Sequence, residues 1–279
     1  MLENFKKVSI SALALVMVAG VGQPLLANAE ATSDNTVTTE KGESVSIGAP
    51  LLKSKARSIA PSLEFSSEKS GNTIVQTITI DSSTPDSSIV IPFELNSGDY
   101  IALAEDSQGN TDGAATIYDA SEDSLALIFS PVSDDDSQLK ITSAEVIDGD
   151  TLKLNLDTTN QTTATNLAVT FAATAYSDYF SSGIWEPRDG THETLSLMHK
   201  PYLFSGTTND RAMKVGDSWN KIVDKHSGSV MWHNTGGMQD QYNCHYNTVG
   251  AGKNPWNLEP DRQDLSYVDT VANKCNPPY

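Results

Sequence analysis

The chain has 279 residues and a formal net charge of −18, from 36 acidic and 18 basic side chains. A surface this acidic repels nucleic acid and anionic lipid at long range, so no nucleic-acid partner is expected. The acidity is uneven: residues 31–178 carry 7 Lys or Arg against 23 Asp or Glu, and residues 179–279 carry 9 against 11. Cys, His and Trp are absent from 31–178, and every one of them follows Phe180. Both shifts put a domain boundary near Tyr179.

The start of the chain has the three parts of a secretory signal, here residues 1–29. Lys6 and Lys7 are the basic start, Val8 to Gly22 is an apolar or small-residue run, and Ala27-Asn28-Ala29 is a small-x-small cleavage site. The run is short of the roughly 20 apolar residues that a membrane span needs. No Cys follows it to take a lipid anchor, and no later stretch is apolar enough to cross a bilayer. The protein is therefore expected to be secreted and extracellular, with no transmembrane segment in the mature chain. Residues 30–70 show no sustained period and few aromatics, which reads as a disordered linker or pro-segment. Within them Lys53 to Arg57 (KSKAR) is a solvated basic patch or, alternatively, a processing site.

From Thr73 the texture changes to short β-branched runs: TIVQTITI, SIVIPFEL, YIALAE, AATIYD, SLALIFS, QLKITSAEVI, TLKLNL and LAVTFAATAY. Turn clusters separate them at a spacing typical of an antiparallel sandwich, which predicts an acidic all-β domain over 71–178. Asp148-Gly149 in EVIDGDTLKL supplies the positive φ values of a tight hairpin turn. Asp106 to Gly113 (DSQGNTDG) partly resembles a calcium loop, but the twelfth position from Asp106 is Ile117, not a closing carboxylate. It reads as an Asn/Gly turn, and Asp134 to Asp136 as a solvated turn rather than a ligand cluster.

Residues 179–279 read as a small α+β module. SGIWEPRDGTHETLSLMHKP gives a strand carrying Trp185, a turn at Arg188-Asp189-Gly190 and an alternating strand from Thr194 to Met198. A helix is predicted from an Asp217 N-cap, with Trp219, Ile222, Val223 and His226 on one face and Gly228 at its end. The two cysteines of a secreted chain are expected to pair, so Cys244 and Cys275 predict a disulfide, and a paired Cys244 cannot act as a nucleophile. The five histidines show no metal spacing, and neither a metal nor a cofactor is expected.

Lys253, Glu259 and Arg262 fall in the loop the disulfide would close, beside His245. Two readings of this patch compete. In one, His245 is a general base oriented by the Glu259 carboxylate, and the cations stabilise developing negative charge. In the other, Glu259 and Arg262 form an ion pair that locks the loop while His245 binds a backbone carbonyl.

Trp185 with RDG, ETLSLMHKP, DSWNKIV, MQDQYNCH, Lys253, WNLEPDR and the closing CNP resemble the domain-of-unknown-function family numbered 2599, found in secreted bacterial proteins. The resemblance covers roughly Ser181 to Pro277. It implies an exported, disulfide-closed terminal module and no settled activity. Its block residues fall here on Trp185, Arg188, Trp219, Gln241, Cys244, His245, Lys253, Trp256, Glu259, Arg262 and Cys275. Of these, Trp185, Arg188, Gln241, Lys253, Trp256 and Arg262 are the candidate binding residues. The expected function is that of a secreted bacterial binding or effector protein, toxin-like or antibacterial in type. It would act on an unknown extracellular or cell-surface ligand. The alternative is an extracellular hydrolase using His245 and Glu259.

Overall fold

A computed structural model describes residues 35–54, 63–82, 87–136 and 138–279. The candidate signal segment and positions 55–57 of the basic run lie outside them. Thirteen strands come first: β1 (Thr36–Thr38), β2 (Ser44–Ile47), β3 (Leu51–Ser54), β4 (Glu64–Ser70), β5 (Thr73–Ile80), β6 (Ser87–Glu94), β7 (Tyr100–Leu103), β8 (Ala115–Tyr118), β9 (Ser124–Ile128), β10 (Val132–Ser133), β11 (Lys140–Ile147), β12 (Thr151–Asp157) and β13 (Thr165–Ala172). They form two antiparallel sheets, one in the order β1-β2-β6-β12-β11 with β3 also on β6. The other runs β4-β5-β13-β9-β8-β7, with β10 also on β13.

Period-2 alternation decides which side chains face inward. In β5, Ile74, Gln76, Ile78 and Ile80 are buried and the residues between them are half-exposed. Across the sandwich the three isoleucines share one core with Val37, Ile47, Ile89, Ile91 and Leu154, and Phe93 meets Phe171 edge-on at 5.3 Å. Asp148 and Gly149 have φ of 52° and 86°, the left-handed pair that the β11–β12 hairpin requires.

The stretch read as a linker differs from expectation. It contains β1 to β4, and Val37, Val45 and Ile47 belong to the main core. Strands β1 to β3 have only three or four residues, too few for alternation to stand out. Strand β4 is a polar, largely exposed edge whose pairing comes from the backbone of β5.

The second part contains α1 (Tyr176–Tyr179), β14 (Phe180–Pro187), β15 (Glu193–His199), α2 (Thr208–His226), α3 (Thr235–Cys244), β16 (Trp256–Leu258) and α4 (Tyr267–Ala272). β14, β15 and β16 make a three-stranded antiparallel sheet. Its apolar face (Leu195, Leu197, Trp256, Leu258) packs with Trp219, Ile222, Met238 and Tyr242 from α2 and α3. Helix α2 starts earlier than predicted, with Thr207 as its N-cap: the Thr207 hydroxyl accepts the Asp210 N–H while Asp210 accepts the Thr207 N–H. Asp217 is thus not a cap but a buried mid-helix carboxylate, taking hydroxyl hydrogen bonds from Thr174 and from Tyr179 at 2.5 Å.

Helix α2 also joins the two parts, and both lie in the single compact unit Ser33–Tyr279. Asp210 Oδ1 accepts the Ser130 N–H at 2.8 Å and the Ser130 hydroxyl at 3.0 Å. Met213 packs on Ala114 and Leu127. This cover explains why every residue of β9 (SLALI) is buried, on both faces, where the inner strands of a one-sided sheet alternate.

Asp210→Ala removes charge-assisted bonds, each worth about 1.5 to 3 kcal/mol, and strands the buried Ser130 N–H. Calorimetry should show one unfolding transition for the wild type and one, several degrees lower, for the variant. Two separate transitions in the wild type would contradict the shared seam.

Candidate functional site

Glu259 follows β16 and is 1% exposed. Its carboxylate is met from three directions. Arg188, in the turn after β14, brings Nε to 3.2 Å from Oε1; Arg262 brings Nε to 2.5 Å from Oε2; the Tyr279 hydroxyl donates to Oε2 at 2.7 Å. Both guanidinium Nε atoms lie off the hydrogen-bonding axis, so these two are ionic contacts and the tyrosine supplies the aligned bond.

The backbone of Glu259 is fixed as firmly. The side-chain amide of Gln241 on α3 donates to its carbonyl at 3.0 Å and accepts its N–H at 2.9 Å, as a neighbouring strand would. Arg262 in turn donates to the Pro277 carbonyl and lies 4.3 Å from the Tyr279 ring centroid. The Tyr279 ring stacks on His192 at 3.8 Å, and His192 is paired with Asp189 at 2.9 Å. The Asp189 carboxyl is held well below its usual range, mainly by the His192 hydrogen bond.

Around this centre, Asn234 caps α3 in the left-handed conformation, accepting from the Gly237 N–H and donating to the Arg262 carbonyl at 2.7 Å. A Cβ on Gly237 would stand 2.6 Å from the Asn234 amide, which accounts for glycine there. His233 pairs with Asp261 at 3.0 Å. The disulfide joins Cys244, the last residue of α3, to Cys275 across a separation of 31 residues. By the loop-entropy relation a bridge of this span contributes about 3.5 to 4 kcal/mol.

His245 is 2% exposed and donates from Nε2 to the Asn257 carbonyl at 3.2 Å, while Nδ1 has no partner among the described residues. Its ring lies parallel to that of Trp256 at 6.1 Å. Burial, with a smaller repulsion from Lys253, lowers its pKa to about 4. The structure thus contains the Glu259–Arg262 ion pair and the carbonyl-bound His245 of the second sequence reading. No hydrogen bond joins His245 to the Glu259 carboxylate, which is occupied by Arg188, Arg262 and Tyr279.

The candidate binding residues separate by exposure. Gln241 and Trp256 are buried framework, Arg262 is mostly covered, and Trp185 is half-buried against the core with its indole N–H unpaired. Arg188 keeps 43% of its side chain in solvent, and Lys253 is exposed while its carbonyl accepts from His199 Nε2 at 2.8 Å. Sequence reasoning missed Tyr279 and His192. The signal for Tyr279 was its place in CNPPY, just past the disulfide; the His192 stacking partner had none.

Two other sequence features resolve locally. Asp106 accepts the N–H groups of Gln108 and Asn110 at 2.8 and 2.9 Å, forming a closed Asx-type turn. Among the described residues no group of three or more His, Cys, Asp or Glu is placed to hold a metal ion. Nor is any helix among them long and apolar enough to cross a membrane.

Comparison with known families falls on this same region. Residues 182–278 match the family described as protein of unknown function (DUF2599), the family that the residue blocks resemble. The match takes in Arg188, Gln241, both cysteines, Glu259 and Arg262. No curated protein and no solved structure matches the chain.

His226, like His245, is buried with its pKa lowered to about 4, by burial first and then by Lys225. The unfolded chain takes up protons near the ordinary value of 6.5 and the folded chain does not, so stability falls as pH drops from 6.5 toward 4. Each histidine should cost about 2 kcal/mol between pH 7 and pH 5. In denaturant titrations at those two values His245→Gln should remove about half of the difference. An unchanged difference would contradict the burial of an uncharged imidazole.

Proposed function

We propose that this is a secreted bacterial protein that works by binding, without catalysis, through its C-terminal module to an extracellular or cell-surface ligand. The observation that carries this reading is the burial of the Glu259 carboxylate, 1% exposed, in ionic contact with Arg188 and Arg262 and hydrogen-bonded by Tyr279. A general acid or base must reach substrate, and a nearby orienting carboxylate must be free to hold it. Here Glu259 spends both oxygens on structure, and His245 is a buried, weakened base. The hydrolase alternative has neither group available.

What the same network does supply is a rigid surface. Tyr279, 44% exposed, is held by Glu259, Arg262 and His192, and Arg188 projects beside it. A pre-ordered aromatic and guanidinium pair loses little entropy on association, which favours recognition. The signal-like start of the chain and the family's occurrence in exported bacterial proteins support the extracellular setting.

The test uses the labelled secreted protein on intact bacterial cells, with the thermal midpoint of every variant measured alongside. Saturable binding should weaken about tenfold in Arg188→Gln and Tyr279→Ala, as expected when an interface anchor is truncated. Binding and any biological effect should persist in His245→Gln. A normally folded His245→Gln protein that still binds but has lost its effect would overturn the reading in favour of catalysis.

A further inference from the structure

A cavity of about 300 Å³ opens at the seam between the sandwich and α2, and its lining includes none of Glu259, Arg188, Arg262 or Tyr279. Its walls are the turn after β1, the start of β9, Tyr176 and one face of the C-terminal half of α2. Charged groups line it from every wall but that of Tyr176, and most of the acids are already engaged. The Glu40 carboxylate accepts the Tyr176 N–H at 3.0 Å. Asp123 and Asp224 share Lys41, at 2.6 and 3.0 Å.

The α2 lysines are different. Lys221 is 5% exposed, yet among the described residues its ammonium reaches only the Ser124 carbonyl at 3.4 Å and Asp217 Oδ1 at 3.8 Å, both long. Asp217 meanwhile uses Oδ2 for the hydroxyls of Thr174 and Tyr179. Lys225, one turn further on the same face, lies over the Tyr176 ring at 4.6 Å, with no carboxylate in ion-pair range among the described residues. The buried Ser124 hydroxyl, in the same wall, has no partner among the described residues.

A buried ammonium carries three donors and a charge that low-dielectric surroundings penalise unless acceptors meet it. Lys221 has one long carbonyl contact and one long ion contact where three short ones would fit.

We infer that this cavity binds a small oxyanion, a carboxylate or a phosphate, between the ammonium groups of Lys221 and Lys225. Its volume lies at the lower end for ligand sites, which suits a small molecule rather than a polymer. Glu43, also in the lining, disfavours highly charged ligands. The net charge of −18 suppresses non-specific anion binding, so saturable binding reports a built site.

The experiment is isothermal titration of the secreted full chain with sodium phosphate and, separately, sodium acetate at constant ionic strength. One-to-one saturable binding of at least one anion is expected, and which anion binds identifies the ligand class. Lys225→Gln, at an exposed position, should weaken it at least tenfold, and Lys221→Met should abolish it. Lys140→Gln, on the far strand β11, should leave it unchanged. Should Lys221→Met fail to fold, Lys225→Gln decides alone. No saturable binding of either anion, or binding indifferent to Lys225→Gln, would overturn the inference.

Discussion

A carboxylate taken out of water must be compensated by charge and hydrogen bonds, or it will not stay ionised and buried. Glu259 meets this demand with partners from three separate places: the guanidinium charges of Arg188 in the β14–β15 turn and of Arg262 just downstream, and the hydroxyl of Tyr279 beyond the disulfide. Each segment also has backbone bonds of its own, such as Arg188 N–H to the His192 carbonyl at 2.7 Å and Gln263 N–H to the Pro278 carbonyl at 2.9 Å. The buried charge is the point at which the hairpin turn, the loop after β16 and the segment after Cys275 all meet. Gln241 sets the depth of that charge by pairing with its backbone. The disulfide then shortens the path from α3 to the final residues. A truncated partner leaves a buried charge uncompensated, so the network fails as a unit.

The second organising element is α2. Its N-terminal turn binds the sandwich through Asp210 and Ser130, and its Trp219 and Ile222 face the module's own core. The sandwich is therefore more than an acidic carrier. It supplies the surface on which the central helix of the module rests, and the cavity lined by Lys221 and Lys225 lies along that junction.

How far the sequence was legible follows from where information is local. Strand β5 runs over Thr73–Ile80, the span of its alternating run, because period and burial agree within one segment. The Asp148-Gly149 turn and the Cys244–Cys275 bridge were legible for the same reason: few chemistries suit those residues. The strands between residues 36 and 54 were not, since three- and four-residue strands gain their order from distant partners such as β6. The start of α2 was misplaced because Asp217 is a good cap type, yet the Thr207–Asp210 box lies ten residues earlier. At the site, the Glu259–Arg262 pair was visible as neighbours three apart. Arg188 and Tyr279 lie far from Glu259 in sequence, and only the fold brings them to it.

The central claim is that Glu259 holds its three segments together. Hydrogen–deuterium exchange on Glu259→Gln, compared with the wild type, tests it most directly. Neutralising the carboxylate should raise exchange in residues 188–193, 259–263 and 276–279 together, while β5, β9 and β13 stay protected. Unchanged exchange in those three segments, or loosening of only the one nearest the substitution, would contradict the account.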